Sequence, residues 1–284
     1  MTPSPDQILA LNTRLCQIIE GKGSALDLIA AATHILPFTA AFAVVNRPER
    51  NPIYLADTYP EGAAKAAVQQ YVDSTYLLNP IYNAFLSGLE PGLHTMTDLA
   101  PDNWHPCTDR TDVMSASDEE IGYRTPGWPA GLQEVSLTVT LPHGFMGEVS
   151  FGRPVSAGGF TPDVIAGLRP FYPLFTSAFR ALWSRKSALA FDAAVSSRPG
   201  LEDFATTELS PRKGEVVRMI LKGHSSQSIS LTLGIALPTV KTHRKNAHAK
   251  LGISTQQQLF STFLTWQSSQ TGKLESATFP IAPL

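Results

Sequence analysis

Residues able to do chemistry crowd into one short stretch, LPTVKTHRKNAHAKL, which carries Lys241, Arg244, Lys245 and Lys250 and no acid. At 100° per residue, Val240, Ala247 and Leu251 fall in one narrow sector with His243 at its edge, while Lys241, Thr242, Lys245 and Ala249 fall on the other side. Such a helix buries its apolar seam and presents ammonium groups and a threonine methyl outward. Its chemistry is recognition: lysine donates to guanine O6 and N7, and the threonine methyl touches the methyl of thymine.

Charge along the chain agrees. Residues 1–205 hold 13 Lys and Arg against 21 Asp and Glu, whereas residues 206–266 hold 8 against 2, an asymmetry hidden by the net charge of −2. One part is therefore built to meet a polyanion and the other is not.

The basic helix needs neighbours to position it, and ELSPRKGEVVRMILKGHSSQSISLTLGIALPTVKTHRKNAHAKLGI supplies them. Ser210 is placed to cap a helix, Pro211 suits its first turn, and Glu215 puts an acid near its N-terminus. Val216, Val217, Ile220 and Leu221 form its buried face, and Gly223 ends it. Ile229 and Leu233 face inward from a second helix, and Gly234 permits the tight turn before the basic one. These ordered features resemble the LuxR/GerE helix-turn-helix family over essentially the whole segment. Lys213-Gly214, in place of a charged, helix-favouring pair, and Ser230, in place of a small alanine, depart from the family pattern.

The resemblance implies that Lys241, Thr242 and Lys245 face base edges in double-stranded DNA. It puts Thr239 and Arg244 where contacts to the backbone arise, with Arg212, Ser226 and the start of the second helix as further phosphate candidates. Leu259, Phe260, Phe263 and Leu264 form an apolar stripe on an expected fourth helix. In the family this helix commonly joins two subunits, which implies a homodimer on two half-sites, with RNA polymerase a further candidate partner. The alternative is that the stripe completes the domain's own core.

Upstream, Tyr71, Tyr76, Tyr82, Trp104, Tyr123 and Trp128 surround an irregular middle region, and rings of this kind commonly line a small-effector pocket. Tyr71, Tyr76 and Asn79-Pro80 resemble an aromatic and Asp-Pro pattern of acyl-homoserine-lactone sensors, but Asn79 stands where the lactone-binding aspartate would be. YLLNPIY, TDLAPD and EEIGY resemble a less characterised LuxR-type group. Glu120, beside Glu119, could pair with a cation while rings stack on it, so an amine-containing or otherwise polar effector is expected rather than an acyl lactone.

Helical spacing of Ile8, Leu11, Leu15 and Ile18, and of Leu26, Ile29 and Leu36, predicts two opening helices. AAFAVVNR and PIYLADTYP read as paired strands, residues 61–87 as helix interrupted at Pro80, VSLTVTL and GEVSFGR as a second strand pair, and residues 161–186 as a long helix bent at Pro170 and Pro173. The expected fold is an α+β sensor domain, an α-β-α sandwich resembling PAS or GAF domains, followed by an all-α four-helix helix-turn-helix domain. The expected boundaries are a sensor over 1–186, a linker over 187–205, a DNA-binding domain over 206–266 and a flexible tail over 267–284.

Other classes find little support. Cys16 and Cys107 stand ninety residues apart, which fits a reducing compartment and a cytoplasmic protein. Asp27, His34 and Pro37 interrupt the apolar stretch over 25–45, so no membrane span is expected, and MTPSPDQ has neither the basic start nor the apolar run of a signal peptide. His94, His105 and Cys107 match no zinc spacing, and no cofactor motif is present. GKGSALD lacks the phosphate-loop pattern, no nucleophile elbow occurs, and no acidic pair follows the first strand as a phospho-receiver requires. The function expected is a DNA-binding transcription regulator under small-molecule control, not an enzyme. The alternatives are an acyl-homoserine-lactone receptor and a metabolite-binding or enzymatic module with an appended DNA-binding domain.

Overall fold

The computed structural model describes residues 3–99, 132–190 and 200–277. Helix α1 (Pro5–Ile19) opens on a reciprocal cap between Ser4 and Gln7, and α2 (Ala25–Ala32) on the same device between Ser24 and Asp27. Leu11, Leu15 and Ile18 make one buried stripe along α1.

Five strands follow: β1 (Ala40–Arg47), β2 (Arg50–Asp57), β3 (Leu93–Thr95), β4 (Leu132–Thr140) and β5 (Met146–Pro154). They form one antiparallel sheet in the order β2-β1-β5-β4-β3. β3 was not expected. It is a three-residue edge strand inside the stretch read as irregular, too short to carry an alternating pattern.

Between β2 and β3 run α3 (Ala63–Asp73), a 3₁₀ turn (Thr75–Leu78) and α4 (Pro80–Leu86), with α5 (Met96–Leu99) after β3. α6 (Pro162–Leu168) and α7 (Tyr172–Ala190) close the domain, separated by a 3₁₀ turn at Arg169–Phe171 where Pro170 breaks the α-helical bonding.

Period-two alternation divides the sheet into two chemically different faces. Ala41, Ala43, Val45, Val135, Leu137, Val139, Val149 and Phe151 pack with Leu11, Leu15, Leu28, Phe175, Phe179 and Trp183 of α1, α2 and α7 in the main core. Gly147 is required here, because a Cβ on it would come 2.3 Å from Cε1 of Phe179. Arg185 on α7 donates to the Ile18 and Gly23 carbonyls at 2.7 and 3.1 Å, holding α7 to the end of α1. On the opposite face Ala40, Phe42 and Val44 of β1 pack with Val68, Tyr71, Tyr76 and Tyr82. Helices on both faces make the α-β-α sandwich expected from the sequence.

The C-terminal domain contains α8 (Pro211–Leu221), α9 (Ser226–Leu233), α10 (Leu237–Leu251) and α11 (Gln256–Ala277). Two segments read differently from sequence. Leu201, Phe204 and Ala205, inside the stretch expected to be linker, are buried with Val216, Val217, Ile220 and Phe263. The rings of Phe204 and Phe263 meet edge-on at 5.3 Å. Residues 267–277, expected as flexible tail, continue α11, a polar run that shows no apolar stripe yet contains no proline to stop a helix.

Candidate nucleic-acid interface

Three left-handed glycines set the angles between the helices that carry the basic side chains. Gly223 (φ +91°) ends α8, Gly234 (φ +61°) ends α9 and Gly252 (φ +68°) ends α10. Ser225 caps α9 by accepting from the Ser228 N–H at 3.1 Å. Ser230 has a role that its departure from the family pattern did not suggest: its hydroxyl donates to the Ile235 carbonyl at 2.7 Å, crossing the turn between α9 and α10. Gly214 is buried on α8 and has only the flexible end of the Arg218 side chain near it, 2.9 Å from where a Cβ would stand, so nothing in the structure requires a glycine there. Ser210 occupies the N-cap of α8 but makes no side-chain cap bond, so Pro211 alone preorganises that start.

Val240 and Ala247 are buried against the rest of the domain, whereas Thr239, Lys241, Thr242 and Lys245 are exposed and Arg244 is half-buried. The helix thus divides as its periodicity predicts. The Thr242 hydroxyl donates back to the Pro238 carbonyl at 2.9 Å, which occupies its proton within the helix. His248 is buried, and burial, reinforced by Arg244, holds its pKa below the usual value. It therefore adds no charge to the basic face near neutral pH.

The cations of the domain fall into two groups. Arg212 pairs with Glu215 at 2.6 Å and donates to the Leu233 carbonyl at 3.0 Å, tying α8 to the end of α9. Arg218 and Lys222 both face Glu202, at 2.8 and 4.0 Å. Lys241 and Lys245, by contrast, have no acidic partner among the described residues. Arg212, Arg218 and Lys222 are thus engaged within the domain, as is Lys250 through the Glu208 carbonyl at 3.4 Å, while Lys213, Lys241 and Lys245 face no acid among the described residues, the last two side by side on the exposed face of α10. Ser226, expected at a phosphate, is buried at the start of α9, and Arg212 is engaged within the domain, so both are poorly placed for that role. Leu259 and Phe263 are fully buried in the domain's own core, leaving half-buried Phe260 and Leu264 as the part of the stripe that a second subunit could reach.

In the N-terminal domain, Tyr71, Tyr76 and Tyr82 are buried together, Tyr76 and Tyr82 edge-on at 4.8 Å and Phe42 and Tyr71 at 5.2 Å. Trp104, Glu120, Tyr123 and Trp128 lie outside the described residues. Asn79, at the position compared with the lactone sensors' aspartate, caps α4: its Oδ1 accepts from the N–H groups of Ile81 and Tyr82 at 2.8 and 3.4 Å.

The sequence reading missed two buried carboxyls, Glu134 on β4 and Glu148 on β5, both on the sheet face that carries Phe42 and Val44. Glu148 accepts from Asn46 Nδ2 at 2.6 Å and from the Ser136 hydroxyl at 3.3 Å, and the Ser136 oxygen, its one proton so used, lies 3.1 Å from the Ser150 hydroxyl and accepts from it. Burial, and then the neighbouring Glu148, pushes the Glu134 carboxyl up to about 8. Burial pushes Glu148 up to about 7 against the opposing hydrogen bonds from Asn46 and Ser136. The signal was present in EVSLTVT and GEVSF, which place glutamate, serine and threonine on the face opposite the valines. A polar face of this kind is ordinarily solvated.

Residues 207–263 match the family of bacterial regulatory proteins, luxR family. Among curated relatives, the chain is 25% identical over 195 residues to a protein of Aeromonas salmonicida named for the exeN 3′ region and classed provisionally as an HTH-type transcriptional regulator; the match covers 66% of this chain and 93% of the relative. It is 41% identical over 69 residues to the transcriptional regulatory protein MctR of Rhizobium johnstonii, covering 24% of this chain and 31% of that one. Among solved structures it is similar to SdiA of Escherichia coli, at 19% identity and a TM-score of 0.39, covering 90% of this chain and 96% of that one. A second likeness is to the LBD domain of VqsR from Pseudomonas aeruginosa, at 16% identity and a TM-score of 0.43, covering 62% and 98%.

Proposed function

We propose that this chain, whose C-terminal domain belongs to the luxR family of bacterial regulatory proteins, controls transcription by laying α10 in the major groove of double-stranded DNA under the direction of an effector bound to its N-terminal domain. It is a DNA-binding regulator of the LuxR type. The observation that carries the groove assignment is the contrast among its cations: Arg212, Arg218 and Lys222 face acids within the domain, while Lys241 and Lys245 sit exposed one turn apart on α10 and have no acidic partner among the described residues.

Lys241, Thr242 and Lys245 read base edges, and Thr239 and Arg244 hold the flanking backbone. The regulator works as a homodimer on two half-sites, with Phe260 and Leu264 toward the partner subunit, and acts in the cytoplasm on RNA polymerase engaged at the same promoter. Among the described residues no helix is long and apolar enough to cross a membrane. We assign sensing to residues 1–186 and DNA binding to the domain matched over 207–263, whose folded core extends upstream to Leu201. Effector binding acts by favouring one arrangement of the DNA-binding domains, and shifts that equilibrium only by its difference in affinity for the two.

Selection of the full-length chain on a library of genomic duplex fragments tests this reading. Enrichment of a sequence with two related half-sites is expected. Retention of fragments without sequence preference, or of none at low salt, would overturn it.

A further inference from the structure

The buried acidic floor of the sheet has no use in DNA recognition and little in stability. Carboxyls sequestered from water cost free energy unless a cation or several donors compensate them. Glu148 has two donors, Asn46 and Ser136, and among the described residues neither glutamate has an ion-pair partner. Glu134 makes no side-chain hydrogen bond among them.

Independent of the carboxyls, other buried polar atoms of the N-terminal domain are unmatched among the described residues, one of them on this face. Asn46 is 0% exposed, and while its Nδ2 is bonded to Glu148, its Oδ1 has no partner among the described residues. The hydroxyl of Thr75, 1% exposed in the turn before α4, has none either. Native interiors leave few such atoms, and those that persist call for an explanation such as a missing ligand.

The register shows how these groups are arrayed. Glu148 lies opposite Thr138 on β4 and Val44 on β1, Ser150 opposite Ser136 and Phe42, and Glu134 opposite Gly152. A polar track from Glu134 through Ser150 and Ser136 to Glu148 and Asn46 thus crosses the sheet diagonally. Phe42 and Val44, flanking it on β1, belong to the cluster that holds Tyr71, Tyr76 and Tyr82.

The geometry points to a binding site for an organic cation on this face, an amine whose ammonium group sits against Glu148 and Glu134 and whose hydrocarbon body lies against the rings packed on β1. This rests on the reading of the N-terminal domain as an effector sensor and specifies the chemistry that it senses. An ammonium donates to carboxylates and to an amide oxygen such as Asn46 Oδ1, and aromatic faces attract it as well. Glu134 and Glu148 take the part that the sequence alone gave to Glu120.

The ionisable groups on the elements packed on this face are Arg47 at the end of β1, Arg50 and Asp57 on β2, Tyr59 after it, Lys65, Tyr71 and Asp73 on α3, Tyr76 in the 3₁₀ turn, Tyr82 on α4 and His94 on β3. Of the cations, Lys65 is paired with Asp57, and the Arg47 guanidinium donates to the Asn51 carbonyl at 2.7 and 2.9 Å. Burial, with Glu134 and Asp57 adding to it, raises the Tyr59 hydroxyl well above its usual value, and burial raises Tyr82 to about 12. Burial lowers His94 despite its contact with the Glu90 carbonyl. None of the shifted groups changes charge near neutral pH in a way that would substitute for a ligand cation. The glutamates do: an arriving ammonium favours their ionised form, so binding releases protons and strengthens as pH rises toward 8.

Calorimetry on the full-length chain with phenethylamine, its neutral isostere 2-phenylethanol and N-octanoyl homoserine lactone tests this. Titrations run at pH 6, 7 and 8 in buffers of different ionisation enthalpy. Phenethylamine is expected to bind with proton release and increasing affinity across that range, and Glu148→Gln to weaken it roughly 10- to 100-fold. Glu134→Gln should reduce the protons released, and 2-phenylethanol should bind weakly and without them. The proton count on the unaltered chain needs no variant to fold. Binding of the lactone or of 2-phenylethanol in preference to the amine would overturn the cation assignment while leaving the sensor reading intact. Absence of amine binding at millimolar concentration to the folded chain would also overturn it.

Discussion

Because Glu134 and Glu148 are protonated in the folded chain at pH values where they ionise in the unfolded one, ligand-free stability should fall as pH rises. The ordinary value for both is 4.5, and burial raises them to about 8 and about 7. Between pH 5 and 7 the folded state therefore holds up to two protons that the unfolded state has lost. Each proton gives a slope of about 1.4 kcal/mol per pH unit, so the pair contributes at most about 2.7 kcal/mol per unit. The sign follows from the raised values: the penalty is absent below about pH 4.5, grows through neutrality and levels off above about pH 8. The Glu134→Gln/Glu148→Gln double variant keeps the shape of both side chains and removes the titration. Urea unfolding of both proteins followed by circular dichroism at half-unit steps from pH 5 to 8 isolates the effect, since other groups cancel in the difference. The unaltered chain should lose stability relative to the variant by roughly 1 to 3 kcal/mol per unit across the middle of that range. Parallel curves would refute the reasoning, and a relative gain with rising pH would show instead that the carboxylates are ionised and paired.

Three further outcomes follow from particular contacts. With the Thr242 hydroxyl bonded to Pro238, base contact belongs to the methyl. Thr242→Ser should cost about 0.8 kcal/mol, or roughly fourfold, at one thymine position, while Thr242→Val should retain the discrimination, as competition binding with single-base variants of the selected duplex will show. Arg244→Ala should weaken selected and scrambled duplexes alike and reduce the slope of log K against log salt by about 0.9, measured by fluorescence anisotropy from 50 to 200 mM salt. Gly147→Ala should destabilise the N-terminal domain by roughly 1 to 3 kcal/mol, because Phe179 is fully buried and cannot move aside, and Phe179→Leu in the same chain should recover part of the loss in urea unfolding.

The legible parts of the sequence were those where local pattern and tertiary role agree. The α10 seam of Val240 and Ala247 is buried as its period implies, Gly223 and Gly234 adopt the left-handed turns asked of them, and the two strand pairs and the opening helices lie where alternation and apolar spacing put them. Misreadings arose where a tertiary neighbour decided the outcome. Leu201, Phe204 and Ala205 look like linker beside Pro199 and Gly200, and it is the packing of α8 and of Phe263 and Trp266, some sixty residues away, that makes them core. Ser230 is a loss by helix propensity and a gain once the Ile235 carbonyl stands opposite it.

The acidic floor shows the same limit at a candidate site. Alternation in β4 correctly separates Val135, Leu137 and Val139 from Glu134, Ser136 and Thr138, but alternation cannot say that the polar face is covered. Amphipathic strands usually turn such a face to water. Tyr71, Tyr76 and Tyr82 were legible as an aromatic group, while the carboxyls that share their side of the sheet come from strands more than fifty residues later.

The central claim, that α10 reads DNA sequence through side chains with no work to do inside the domain, is tested most directly by the equilibrium affinity of the full-length chain for its selected duplex and for a scrambled one. Fluorescence anisotropy at fixed salt, on the unaltered chain, Lys241→Ala and Lys245→Ala, gives the six numbers required. Each substitution should cost roughly 1 to 3 kcal/mol on the selected duplex, a loss of about 5- to 150-fold, and considerably less on the scrambled one. Equal losses on both duplexes would show that the lysines only hold phosphates, and unchanged affinity on both would contradict the placement of α10 in the groove.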